Sequence, residues 1–238
     1  MKKAVIVVAT LMIASILIVS ANAAGSVTTG VTSNIIPAGY GFIDFETGGA
    51  DGEVIYSTIP GLQFTTTDGY DWVYVDVRAP GYNLKSLTYD IGPGPYVCNG
   101  YFCAWLGPTQ SSGRIDFVTG PASYFSVLVT CNTVFTVDAY DSSDNLVATS
   151  GPAASNWGSE TFSRCTVQTD TPIIAYVICH NSGNYWGIDD LVTNAPGVPN
   201  QVPEVPLGTV VVSCSMIVAI AAYVAIPRFA RSRKMLSI

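Results

Sequence analysis

Residues 134–149, VFTVDAYDSSDNLVAT, decide the fold. Phe135, Val137 and Ala139 alternate with Thr136, Asp138 and Tyr140, the period of a strand with one wet face. Asp141-Ser142-Ser143-Asp144-Asn145 is a cluster of turn formers, and a second short apolar run follows at once. The stretch therefore predicts a β-hairpin. Outward from it, the same grammar repeats. Short runs open at Gly41 (GFIDFE), Leu62 (LQFTT), Trp72 (WVYVDV), Ser86 (SLTYDI) and Arg114 (RIDFV). Others open at Tyr124 (YFSVLVT), Glu160 (ETFSRCTVQ), Ile173 (IIAYVIC) and Ile188 (IDDLVT). Gly, Pro, Asn and Asp separate them, and no long helical period intervenes. Many short strands at near-regular spacing predict an all-β sandwich or barrel.

The two ends of the chain read differently. Residues 207–226, LGTVVVSCSMIVAIAAYVAI, carry no charge. As a helix, 20 residues span about 30 Å, the thickness of a bilayer's hydrocarbon core. Arg228, Arg231, Arg233 and Lys234 follow, and the positive-inside rule keeps such a cluster in the cytoplasm. The alternative is a buried core helix. At the other end, Lys2 and Lys3 precede an apolar run, and Ala21-Asn22-Ala23 has the small-residue spacing of a signal-peptide cleavage site. The alternative there is an uncleaved anchor. The expected organisation is a signal peptide over 1–24 and a poorly ordered leader over 25–37. A β-sandwich over 38–194, a proline-rich stalk over 195–206, a transmembrane helix over 207–226 and a basic tail over 227–238 complete it. The expected location is the cell membrane, single-pass, with the domain extracellular.

Between the ends lie all 17 acids but only four basic residues, a net of −13 where the whole chain has −7. Such a surface excludes nucleic acid, whose phosphates need Lys and Arg. It suits cations and solubility in salt. Five of the six cysteines lie here, and an exported domain meets oxidising conditions. Cys98 and Cys103 are close enough to staple a loop. Cys131, Cys165 and Cys179 allow at most one more bond, and Cys131–Cys165 is the expected one.

The outer strands carry a resemblance. GFIDFETG at 41–48 and GIDDLV at 187–192 resemble the first and last strands of exported jelly-roll modules of the galactose-binding-like, carbohydrate-binding class. VFTVDAYDSSDNLVAT resembles a hairpin common in anchored proteins of this type. The tail, with VPEVPLGT before its apolar run, resembles archaeal C-terminal sorting segments with a Pro-Glu-Phe core, except that Val205 stands in place of Phe. The resemblance implies a jelly-roll β-sandwich whose first and last strands pair. It also implies a structural Ca²⁺ where they meet, with Glu46, Asp51, Asp189 and Asp190 as candidate ligands. Hard carboxylate and carbonyl oxygens are what Ca²⁺ takes. The alternative is solvated acids at a sheet edge. In a regular strand, Asp189 and Asp190 would face opposite sides.

Trp72, Tyr74, Tyr101, Trp105, Trp157 and Trp186 are candidate stacking residues for sugar rings, with Tyr185 beside them. Core packing is the competing role for all of them. His180, the lone histidine, reads as a loop residue, and no nucleophile-elbow motif accompanies it. The expected function is non-enzymatic binding or adhesion at the cell surface, to glycans or to neighbouring surface-layer proteins. The alternatives are a structural envelope protein and, more remotely, a glycoside-active hydrolase.

Overall fold

The computed structural model describes residues 23–200 except 33–34, 48, 67–69, 107–111, 182 and 184. The expected signal peptide through residue 22 and the expected membrane helix and tail lie outside the described residues. Among the described residues, no helix is long and apolar enough to cross a membrane.

The described chain is all-β, a sandwich of two antiparallel sheets. The strands are β1 (Ala24–Val31), β2 (Gly41–Ile43), β3 (Leu62–Thr65), β4 (Val73–Asp76), β5 (Leu84–Ser86), β6 (Tyr96–Cys98) and β7 (Phe102–Trp105). They continue with β8 (Ser112–Phe117), β9 (Tyr124–Cys131), β10 (Phe135–Tyr140), β11 (Leu146–Thr149), β12 (Phe162–Gln168), β13 (Tyr176–Asn181) and β14 (Trp186–Thr193). The larger sheet runs β1-β12-β9-β14-β7-β4, with β2 also on β14, and the smaller runs β11-β10-β13-β8-β3. The hairpin read from 134–149 is β10–β11, closed where the Asp141 N–H donates to the Asn145 carbonyl at 3.0 Å. Phe125, Phe135, Ile115, Trp72, Ile188 and Leu191 are among the residues that fill the space between the sheets.

The first and last strands of the expected sandwich do meet. Ile43, Phe42 and Gly41 pair with Leu191, Val192 and Thr193. The ladder stops at Ile43, because Phe45 is buried in a left-handed turn at φ 61°. Two expected boundaries move. The leader is not a loose segment: Ala24–Val31 forms the edge strand β1, paired along its length with β12. Its side chains are mostly exposed, so nothing in its apolar pattern announced it. The first residues of the expected stalk belong to the domain. Ala195 and Val198 are buried in the core, and the Phe42 N–H donates to the Pro199 carbonyl at 3.1 Å.

One feature has no counterpart in a plain two-layer sandwich. The chain from Val77 to Asn99 leaves the larger sheet after β4 and folds over that sheet's outer face before β7 returns to it. Its short parallel pair, β5 and β6, sets Leu84 and Tyr96 against Val75 and Cys103, and Val97 against Leu128 and Phe162. The larger sheet is thus covered on both faces from β4 and β7 across to β9, while its edge strand β1 stays mostly exposed. The run SLTYDI from Ser86, expected as a strand, is the turn after β5.

Candidate functional site

Two places on this outer layer gather the chemistry. The first is its junction with β14. A bulge interrupts the β14–β9 register between Asp189 and Val192, and Asp190 sits there in the left-handed region at φ 50°. The bulge cancels the alternation of a regular strand. Both carboxylates therefore turn to the same neighbour, Asn99, rather than to opposite faces. The Asn99 N–H donates to Asp189 Oδ2 at 2.7 Å, and Asn99 Nδ2 donates to Asp190 Oδ2 at 2.7 Å. From the other side the Phe102 N–H donates to Glu46 Oε1 at 2.9 Å. Glu46 also lies so close to Gly100 that any Cβ there would stand 2.0 Å from Oε1. The 98–103 loop is thus held by carboxylates and closed by the Cys98–Cys103 disulfide, whose Cα atoms are 5.8 Å apart. That bond ties the outer layer to the sheet instead of stapling a hairpin.

Burial sets the electrostatics of this junction. Asp189 and Asp190 are fully buried. Loss of solvent, then the charge of Asp190, pushes the Asp189 carboxyl well above its ordinary value. Glu46 is raised too, first by burial, against the pull of backbone donors. Burial lowers the Arg164 guanidinium, and the nearby charge of Asp190 opposes that shift. Of the four acids expected to hold Ca²⁺, Glu46, Asp189 and Asp190 converge on the loop. Asp51 does not: it accepts the Asp76 N–H at 3.0 Å on the other side of the turn. Among the described residues, no three Asp, Glu, His or Cys side chains are disposed to hold a metal ion. Asp51 therefore stands apart from the other three acids. Asp189 Oδ1 and Oδ2, Asp190 Oδ2 and Glu46 Oε1 face N–H donors.

The second place is a groove between the outer layer, β7 and β14. Its inner chamber, about 230 Å³, is floored by Val75, Leu84 and Cys103 and walled by Tyr82, Trp105 and Tyr96. Tyr96 and Tyr185 continue into an open shelf of about 590 Å³ with Asn83, Asn132, Ser155 and Trp157. Tyr82 meets Trp105 edge to face, centroids 5.4 Å apart, and Tyr96 lies nearly parallel to Tyr185 at 6.1 Å. Trp157 is 59% exposed and Tyr185 42%. The Asn132 side chain reaches the Tyr96 phenol, and its Oδ1 is buried with no hydrogen-bond partner among the described residues.

The structure sorts the expected stacking residues. Trp105 and Trp157 line the groove. Trp72 and Tyr74 belong to the sandwich core, where Trp72 packs edge to face on Phe64 and Trp186. Trp186 is likewise buried, though it also borders the chamber. Inner-facing positions of β4 and β14 took these rings, as the core-packing alternative allows. Tyr101 lies elsewhere, stacked on Tyr89 at 4.1 Å beneath Arg78. Tyr82 and Tyr96 were missed, because they sit in the Gly- and Pro-rich stretches 81–83 and 92–96, which read as turns. His180 is on a strand, not a loop, with Nε2 3.0 Å from Asp138 on the smaller sheet's open face.

The Cys131–Cys165 bond is absent: both thiols, and that of Cys179, are free and buried. Cys165 is opposite Val127 in the β12–β9 ladder, four residues from Cys131. At about 3.3 Å per residue that separation is far beyond disulfide reach. Burial pushes the Cys131 thiol up to about 11 and that of Cys165 up to about 12, so both are inert.

No protein-family model and no curated protein sequence matches the chain. Among solved structures it is similar to the CBM22-1 and GH10 modules of a Clostridium thermocellum endo-1,4-beta-D-xylanase 10B complexed with xylohexaose. The identity is 12%, over 63% of this chain and 28% of that one, with a TM-score of 0.34. It thus spans under a third of that xylanase chain. It is similar also to the K2 cleaved adhesin domain of Lys-gingipain, at 16% identity over 71% of this chain and 99% of that one, TM-score 0.34. A third likeness is to the enzymatically active domain of tailspike protein 4 of bacteriophage CBA120, at 11% identity over 56% of this chain and 18% of that one, TM-score 0.27. Likenesses this distant carry no weight for a ligand.

Proposed function

We propose that this protein is a non-enzymatic, carbohydrate-binding module of the cell surface, of jelly-roll type, held to the membrane by residues 207–226. The observation that carries the ligand class is the groove. Aromatic rings converge on an apolar chamber, and amide and hydroxyl groups rim it. Sugar rings have that same duality, apolar faces and hydroxyl edges. Concave, largely apolar sites with a few placed polar groups are where small ligands bind. Supporting the non-enzymatic reading, the lone histidine lies on the opposite sheet and the inner thiols are inert.

The test uses full-length protein in detergent on a glycan array. Binding to a defined set of glycans is expected. Trp105→Ala and Trp157→Ala should each weaken it about tenfold, roughly the loss of one good ring contact, without lowering the melting temperature by more than a few degrees. No glycan bound, or binding indifferent to both changes, overturns the proposal. A structural calcium would have to be held by Glu46, Asp189 and Asp190 without Asp51. A melting midpoint that is higher in calcium than in chelator would support it, since only the folded state would bind.

A further inference from the structure

The groove is uncharged in a domain that is otherwise strongly acidic. Among the described residues, no Asp, Glu, Lys, Arg or His lines either the chamber or the shelf. Two of its tyrosines hold their protons more tightly than usual. Burial, and after it the charge of Asp51, raises the Tyr82 phenol, and burial raises that of Tyr96. A carboxylate or sulfate brought onto the Val75, Leu84 and Cys103 floor would lose its water with no cation to replace it, which is costly. The surrounding net charge of −13 would repel it further. A cationic sugar would find no acid inside.

The shape adds a second restriction. The chamber is the deep end and the shelf the shallow one, joined through Tyr96 and Tyr185, which line both. Its floor belongs to the small core under the outer layer, closed by the disulfide. A chain can enter from the shelf but has no exit through that floor. Resting on the carbohydrate-binding reading above, we propose that the groove takes the end of a neutral glycan. The terminal ring sits in the chamber between Trp105 and Tyr96, and the next units lie across Tyr185 and Trp157 on the shelf.

Full-length protein is titrated with a neutral oligosaccharide taken from the array and three derivatives of it. One has its terminal ring oxidised to the uronate; the others carry a bulky cap at one end or the other. The uronate and one of the two caps should each weaken binding at least tenfold, and the second cap should change it less than twofold. Affinity for the neutral form should be flat from pH 5 to pH 9. Equal affinity for the uronate overturns the neutrality. Tolerance of both caps means that internal stretches bind, and overturns the end-on placement while leaving carbohydrate binding intact. If no oligosaccharide binds, neutral or charged, the carbohydrate reading and this inference fall together.

Discussion

Strands β10 and β14 sit on opposite sheets of one sandwich and obey different rules. Along β10, buried and half-exposed positions alternate without exception. Along β14, every position is buried. The difference is not in the strands but in what lies behind them. The smaller sheet turns its outer face to water, so Asp138 and Tyr140 stay wet. The larger sheet carries the 77–99 layer, so Asp189 and Asp190 are taken out of solvent beneath Asn99. A polar residue on a covered face must find hydrogen bonds within the protein. In β14, Asn99 meets part of that demand, with one N–H to each of the two aspartates, and those two bonds hold the layer to the strand.

The contrast can be broken from the inside first. Phe135 of β10 is fully buried between the sheets, against Trp186 at 5.1 Å. Phe135→Ala should cost about 3–5 kcal/mol, read as a lower denaturant midpoint by fluorescence and circular dichroism alike. It should lower the stability of both sheets together, since they share this core.

A smaller effect should fall on the outer layer. Cys98→Ser with Cys103→Ser removes a bond that closes a five-residue separation. Chain entropy over so short a loop amounts to about 2 kcal/mol. The layer should loosen while the sandwich stays folded, so hydrogen exchange should quicken over 84–99 and remain slow in β10 and β13. Uniform quickening would mean that layer and sandwich are one cooperative unit.

The smallest effect is a matter of pH. Because the folded Asp189 carboxyl is raised above its unfolded value, its contribution is full below about pH 4 and is lost as pH rises through the folded value. Glu46 acts in the same sense. Asp76, lowered by its hydrogen bonds from Arg78, and Asp141, lowered by those from Asn145, act in the opposite sense, losing stability as the medium turns acid. Asp189→Asn keeps an oxygen for the Asn99 N–H and removes the charge. Denaturant midpoints between pH 4 and pH 8 should then fall less steeply with rising pH than in the parent. An unchanged slope would place the burden on Asp190 or Glu46.

Legibility followed the same divide. The β10–β11 hairpin could be read from alternation and DSSDN alone, whereas the pairing of β2 with β14 came from the resemblance of GFIDFETG and GIDDLV to the first and last strands of jelly-roll modules. On the covered face the signal fails. Tyr96-Val97-Cys98 and Phe102-Cys103-Ala104-Trp105 are too short and too uniformly buried to show a period. That the two acids share one side depends on a left-handed Asp190, and a period-two reading has no way to state it. The resemblance grouped Glu46 with Asp189 and Asp190, and with Asp51, which lies apart from them. Their role as a clamp on the 98–103 loop depends on Asn99 and Phe102, whose N–H groups are invisible in a sequence. The groove was half legible. Trp105 and Trp157 stood out as large rings near turns, whereas Tyr82 and Tyr96 were hidden among glycines and prolines that read as connectors.

β14 begins at the groove and ends beside the chain's exit from the domain. Tyr185 and Gly187 line the groove, and the chain runs from there through Thr193 to Asn200. A ligand gripped at one end and tension applied at the other would therefore load a single strand along its length. That strand is held by β9 on one side and by β7 and β2 on the other. Pulled lengthwise, its ladders bear the load in shear, many hydrogen bonds at once, instead of unzipping one by one from an edge as β1 would. If the proposed groove and membrane anchor were both engaged, resistance to such a pull would be set by the unfolding rate of this strand's ladders rather than by equilibrium stability.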